Sequence, residues 1–162
     1  MMTRTLRATA AALVVLAFTA TGARAEDPAP TDTSPVIQWR TELLAAAKES
    51  LADNKPLVVV YVCPLGRQAC VSCKRLRGAL FSPELQALAD DAVFLMVEFD
   101  ITEKKSPEQD ATLLATRFEV VRTPTILVFG TADQKLEHRA RLNGYFAAKP
   151  LAGHLEKYLN QK

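Results

Sequence analysis

The chain has 162 residues and a formal net charge of +2 at pH 7. A charge so close to zero argues against a general binder of nucleic acid or of membrane surfaces. The length is enough for one domain with a hydrophobic core.

The first 25 residues have the pattern of a secretory signal peptide. Arg4 and Arg7 precede a short apolar run at 8–20, and the A-R-A sequence at 23–25 fits the small-x-small cleavage rule. The apolar run is too short for a stable membrane span, with an uncleaved anchor as the alternative. Cleavage before Glu26 leaves 17 basic and 18 acidic residues, and no cysteine stands at the cleavage site to carry a lipid. We therefore expect a periplasmic protein that has no stable membrane insertion.

The polar, proline-rich residues 26–34 predict a flexible leader to a domain that spans 35–162. Ser34 followed by Pro35 is a helix start signal, so we predict a helix from there to about Asp53. Trp39, the only tryptophan, is expected at the core or its edge rather than in a site. Helical spacing predicts six buried residues in this helix: Val36, Trp39, Leu43, Leu44, Ala47 and Leu51.

The next segment joins a predicted buried strand at 57–62 to a C-V-S-C sequence at 70–73 that opens a helix. Two cysteines separated by two residues at such a junction indicate thiol–disulfide exchange. The unpaired N–H groups and the positive dipole end of the first helical turn stabilise a thiolate at Cys70. Cys73, one turn further, is placed to close a disulfide with Cys70. Nearby positive charge also favours the thiolate, and it comes from Arg67, Lys74, Arg75 and Arg77.

The rest of the chain predicts three helices and three strands. The predicted helices span 83–89, about 107–118 and 148–159. The second is expected to bury Leu113, Leu114 and Phe118. The third is expected to bury Leu151, Leu155 and Leu159. The predicted strands are 92–99, 126–129 and an edge strand with Leu136, His138, Ala140 and Leu142 alternating, after a hairpin turn at 130–134. The element order predicts an α/β fold with a small mixed β-sheet and helices on both faces. Ligand sites in such sheets lie beyond the carboxyl ends of parallel strands, which is where Cys70 falls.

These elements together resemble the thioredoxin fold and, within it, the periplasmic C-terminal domain of DsbD-type thiol:disulfide interchange proteins. The resemblance covers about residues 39–158. It rests on K-P-L-V-V-V-Y at 55–61, C-V-S-C-K at 70–74, F-S-P-E-L-Q at 81–86, T-P-T-I-L-V-F at 123–129 and N-G-Y at 143–145.

The resemblance implies Cys70 as the nucleophile, Cys73 as the resolving cysteine and Pro124 as a cis-proline beside them. Thr123 would present its backbone to an extended substrate strand. The implied function is an exported thiol–disulfide oxidoreductase that reduces protein disulfides, with the Cys70–Cys73 disulfide as its redox group and no cofactor. A membrane electron transporter of DsbD type would recharge it. A weak oxidase is the alternative direction of electron flow.

Three features depart from the family's pattern, the first being Ala69 in place of the tryptophan that usually precedes the motif. Val59 stands where thioredoxins usually carry a buried aspartate. Glu98, on the neighbouring strand, is the nearest replacement, although an outward-facing or strand-end glutamate is the alternative. The loop from Cys63 to Gln68 is longer than the family's and brings a third cysteine.

Cys63 has three interpretations: an inert buried thiol, a regulatory partner for Cys70, or a metal ligand. With Cys70 and Cys73 it would supply three thiolates, which suit a soft ion such as Cu(I). Zinc would need a fourth ligand, and the chain's only histidines are His138 and His154. The alternative to an oxidoreductase is therefore a copper-binding or partner-binding thioredoxin-like module.

Overall fold

The fold is described from a computed structural model of residues 35–65 and 70–161. The predicted signal peptide at 1–25 and leader at 26–34 lie outside the described residues. Among the residues that the structure describes, no helix is both long enough and apolar enough to cross a bilayer. The strands are β1 (Trp39–Arg40), β2 (Leu57–Val62), β3 (Val93–Glu98), β4 (Thr125–Ala132) and β5 (Lys135–Asn143). The helices are α1 (Leu43–Asp53), α2 (Val71–Leu80), α3 (Pro83–Gln86), α4 (Gln109–Arg117) and α5 (Ala148–Leu159).

The strands form one mixed sheet in the order β1-β3-β2-β4-β5. β1 and β2 run parallel to β3, whereas β4 is antiparallel to β2 and β5 is antiparallel to β4. The predicted mixed sheet is therefore confirmed. Because β2 and β3 are parallel and Val62 pairs with Glu98, both strands end at the same edge of the sheet.

The sheet separates two hydrophobic clusters, as the alternation of side chains along β2 requires. Val58, Val60 and Val62 share the cluster that contains Cys73 and residues of α2, α3 and α5. Leu57, Val59 and Tyr61 lie in the other cluster, with residues of α1 and α4. The three leucines predicted to be buried in α5 belong to the first cluster, so that prediction is confirmed: Leu151, Leu155 and Leu159.

The predicted helix start at Ser34–Pro35 is wrong, because the chain first pairs with the edge of the sheet. Trp39 and Arg40 lie in register with Phe94 and Leu95 of β3. This pairing covers an edge that would otherwise expose its backbone groups. Trp39 packs edge-on against Phe94, with 5.6 Å between ring centroids, so the prediction of an edge position for it is confirmed.

The first helix therefore begins only at Leu43, whose backbone N–H donates to the Glu108 carboxylate at 2.8 Å. Two residues predicted to be buried are exposed: Val36 by 62% and Leu44 by 55%. Val36 precedes the edge strand, and Leu44 lies outside both hydrophobic clusters.

Helix α4 also differs from its prediction, since it begins at Gln109 and leaves Leu113 59% exposed. Ala111 and Ala115 face the sheet instead. The Tyr61 ring occupies that layer and its hydroxyl donates to the carbonyl of Ala111 at 3.0 Å, so only small helix residues fit above it.

Smaller differences concern where elements end. β4 continues to Ala132, and the hairpin turn consists of Asp133 and Gln134, both with positive φ. The predicted turn at 130–134 therefore began too early. Helix α3 starts at Pro83 with Ser82 as its cap, as predicted, but ends at Gln86.

Candidate active site

Cys70 and Cys73 lie where β2 is followed by α2, and they form a disulfide with a Cα–Cα distance of 5.2 Å. Cys70 is the N-cap residue of α2, and its sulfur accepts a hydrogen bond from the backbone N–H of Cys73 at 3.2 Å. Cys73 is only 3% exposed, whereas Cys70 is partly exposed. The outer sulfur is therefore the one that a partner can reach.

A cis peptide bond joins Thr123 to Pro124 on the other side of these sulfurs. The carbonyl oxygen of Thr123 lies 3.7 Å from the sulfur of Cys70. The segment is held by β4 and β5: the N–H of Gly144 donates to the Pro124 carbonyl at 2.8 Å, and the Thr125 hydroxyl lies 3.0 Å from Oδ1 of Asn143. The structure thus brings the two cysteines and the Thr123–Pro124 segment together, as the resemblance implied.

Cys63 follows β2 directly and is a free, half-buried cysteine of the same cluster. Its backbone N–H donates to the sulfur of Cys73 at 3.4 Å, and its own sulfur lies 2.9 Å from the Thr123 hydroxyl. The three cysteine sulfurs lie within 4.8 Å of one another. A pocket of about 260 Å³ opens onto them and is lined by Cys63, Pro64, Leu65, Cys70, Cys73, Lys74 and Arg77.

Arg77 of α2 connects this pocket to the end of β3. Its Nη2 donates to the Cys63 carbonyl and to Oε1 of Glu98, each at 3.1 Å. The backbone N–H of Leu65 also donates to that carboxylate, at 3.3 Å. Glu98 is thus a strand-end glutamate whose side chain is 37% exposed, and it fixes the segment that carries Cys63.

This arginine bridge was not predicted from the sequence. The signal available in the sequence was the pairing of two parallel strands, which places Val62, the residue before Cys63, beside Glu98. Arg67, which was also predicted near the motif, lies outside the described residues.

Val59 does not face Cys73. It belongs to the cluster on the opposite side of the sheet, and the β2 residues that share the face of Cys73 are valines. A carboxylate at position 59 would therefore point away from the resolving sulfur. β2 offers Cys73 no acid.

Neither histidine belongs to the cysteine cluster. His138 packs against the rings of Phe118 and Phe129, with centroids 4.8 Å and 5.6 Å away. Partial burial there, with a smaller contribution from the positive charge of Arg141, lowers the pKa of His138. His154, on α5, packs against the ring of Phe146, which precedes the helix.

Comparison with solved structures supports the fold. A thioredoxin from Thermus thermophilus superposes with a TM-score of 0.60 at 19% identity, over 75% of this chain and 85% of that one. A protein described as DsbH oxidoreductase gives 0.59 at 16% identity, over 88% and 97%. A mutant thioredoxin from Halobacterium salinarum gives 0.52 at 19% identity, over 82% and 98%.

A search of curated protein sequences found no match. The model of the thioredoxin-like domain family matches residues 43–159, which include all three cysteines and the Thr123–Pro124 segment. This match covers most of the chain and every strand of the sheet except the two-residue β1. The chain belongs to the thioredoxin-like domain family.

Proposed function

We propose that this chain is an exported thiol–disulfide oxidoreductase that reduces the disulfides of periplasmic proteins. One observation carries the proposal: a Cys70–Cys73 disulfide at the N-terminus of a ten-residue helix, with its outer sulfur 3.7 Å from the Thr123 carbonyl. A purely structural disulfide would have no need of a partly exposed sulfur beside the Thr123 backbone. A loop closed over three residues would also stabilise the fold little.

Cys70 acts as the nucleophile in the reduced protein. Its thiolate attacks one sulfur of a substrate disulfide, so that a mixed disulfide forms and the other substrate sulfur leaves as a thiolate. The N–H of Cys73 and the helix N-terminus stabilise the Cys70 thiolate before the attack. Cys73 then attacks the sulfur of Cys70, which releases the second substrate thiolate and closes the Cys70–Cys73 disulfide. Two electrons have passed to the substrate.

Thr123 and Pro124 support the binding of an extended polypeptide. The backbone of Thr123 lies next to Cys70 and precedes β4, so a substrate strand can pair with it while its disulfide approaches the sulfur. Two exposed apolar side chains flank the site: Leu65, 76% exposed, and Val71, 60% exposed. Apolar side chains beside a reactive sulfur favour unfolded or partly folded protein substrates.

The direction of electron flow and the electron donor rest on the resemblance to DsbD-type domains. In that interpretation, a membrane electron transporter of DsbD type returns the Cys70–Cys73 disulfide to the dithiol. Substrates of this class include apo-cytochromes before haem attachment, oxidatively damaged proteins and mispaired secreted proteins. The signal-like sequence at 1–25 supports export to the compartment where these substrates occur.

Trapping of the mixed disulfide tests the roles of the two cysteines. Cys73→Ser should accumulate a covalent complex with a model protein that has been reduced and then reoxidised so that it carries disulfides, because the resolving step is lost. Cys70→Ser should form no such complex, and Cys63→Ser should turn over like the parent protein. Complexes that persist in Cys70→Ser would refute the assignment of the nucleophile.

A further inference from the structure

We propose that the reduced protein also binds one Cu(I) ion through the thiolates of Cys63, Cys70 and Cys73. The three sulfurs lie within 4.8 Å of one another. At a metal–sulfur distance of about 2.3 Å, a trigonal site separates its sulfurs by about 4 Å. Opening of the Cys70–Cys73 disulfide and small side-chain rotations therefore suffice to reach that geometry.

Each of the three sulfurs already has its own hydrogen-bond donor. The N–H of Cys73 donates to Cys70 at 3.2 Å, and the N–H of Cys63 donates to Cys73 at 3.4 Å. The Thr123 hydroxyl lies 2.9 Å from the sulfur of Cys63, and toward a thiolate it can only donate. Donors of this kind orient metal ligands and stabilise their charge. Cys63 is thus held as the third member of the cluster.

Positive charge around the pocket balances the site. One Cu(I) with three thiolates carries a charge of −2. Lys74 and Arg77 line the same pocket, and Cys70 lies at the positive end of α2. This positive charge stabilises the anionic thiolates of the site, whereas it would repel a bare divalent cation.

The composition of the cluster favours a soft ion with three ligands over zinc. Among the described residues, no histidine or carboxylate joins the three cysteines in this group. Residues 66–69 have the sequence G-R-Q-A, which offers no ligand of those types. Glu98, which contacts two residues of the pocket, is engaged by Arg77 and the Leu65 N–H. Thiolate ligands without a fourth partner select Cu(I) rather than tetrahedral Zn²⁺.

Binding would be exclusive with disulfide exchange. Coordination releases the thiol protons and transfers no electrons, but it occupies the sulfurs of both Cys70 and Cys73. The dithiol that accepts the ion is the reduced state of the proposed catalytic cycle, or the protein reduced by a phosphine in vitro. Bound Cu(I) should therefore inhibit reduction of a protein disulfide in proportion to its occupancy.

The test is anaerobic competition for Cu(I) between the phosphine-reduced protein and a chromophoric chelator, with X-ray absorption to count sulfur ligands. We expect one Cu(I) per chain and three sulfurs at about 2.3 Å. Loss of a residue that only hydrogen-bonds to a metal ligand lowers metal affinity by about 10–100-fold. Cys63→Ser loses a ligand itself, so it should lower the affinity for Cu(I) by at least as much. Its copper should retain two sulfurs. His154→Gln is the matched control and should bind like the parent protein.

Four results would overturn the site. These are equal affinity in the parent and Cys63→Ser, two sulfur ligands in the parent, one copper shared by two chains, or zinc binding at least as tight as Cu(I). The metal-free Cys63→Ser protein should still reduce a protein disulfide. If the parent protein reduces a protein disulfide but does not bind copper, only this inference is rejected. If the metal-free parent protein does not reduce a protein disulfide, the proposed function is rejected.

Discussion

Replacement of Arg77 by methionine tests whether the arginine bridge holds the active-site segment in place. Methionine keeps an apolar stem of similar length, so the change removes mainly the guanidinium. That group donates to the Cys63 carbonyl and to Glu98, each at 3.1 Å. Its loss leaves the carbonyl and the carboxylate without this partner.

The expected cost follows from these two contacts. The hydrogen bond from a charged donor to the half-buried Cys63 carbonyl contributes about 1–1.5 kcal/mol. The pair with Glu98, whose side chain is 37% exposed, contributes at most about 0.5 kcal/mol after solvent screening. We therefore expect Arg77→Met to lower the free energy of unfolding by about 1–2 kcal/mol, toward the lower end because the two contacts share one group and need not add fully.

Urea unfolding of the oxidised protein at pH 7 measures this cost, with the m value expected to stay constant. Arg75→Met is the matched control, because Arg75 is an exposed arginine of the same helix, and should change stability by less than about 0.5 kcal/mol. Arg77→Met should also speed alkylation of Cys63 in the native protein. Equal stabilities for the two variants, with unchanged alkylation, would refute the structural role given to Arg77.

Two further predictions concern the titratable rings of Tyr61 and His138. Tyr61→Phe should lower the free energy of unfolding by about 1 kcal/mol at pH 7, because the Ala111 carbonyl loses its phenol donor. Burial also raises the pKa of Tyr61, so the phenol ionises only in the unfolded chain above about pH 10 and stability falls there. Tyr61→Phe should reduce that alkaline loss of stability. If urea unfolding gave the variant the same free energy of unfolding as the parent both at pH 7 and above about pH 10, the prediction would be contradicted. For His138, the pKa lowered by burial means that the unfolded chain takes up the proton first as pH falls below about 6.5. Stability should therefore decline from about pH 6.5 toward the lowered pKa, and thermal unfolding of His138→Gln should show a smaller decline; an identical pH profile would be the opposing result.

The parts of the fold that were predictable are those where local signals agree with tertiary packing. The apolar run at 57–62 fits a central strand and nothing else in this context. Helix α5 follows its leucine spacing from Ala148 to Leu159, as predicted. The paired cysteines were placed correctly because a strand end and a helix start are both visible in the sequence.

The parts that were not predictable depend on partners distant in the sequence. The signal at Ser34–Pro35 suggested a helix, but the open edge of β3 recruited Trp39 and Arg40 as a strand. The bulk of Tyr61 decided which residues of α4 face the sheet, and it lies 50 positions before Ala111. The contact between Cys63 and Thr123 spans 60 positions, so no local pattern encodes it.

The central claim is that Cys70 and Cys73 cycle between a disulfide and a dithiol and that electrons flow toward substrates. A redox titration of the purified protein in glutathione buffers, with thiols counted by alkylation and mass after acid quenching, tests it most directly. We predict one reversible two-thiol transition near the thioredoxin value of about −270 mV, with Cys63 alkylated at every potential. A midpoint near the value of about −120 mV that characterises strong oxidants would contradict the reductase direction. The absence of any reversible two-thiol step would contradict the oxidoreductase itself.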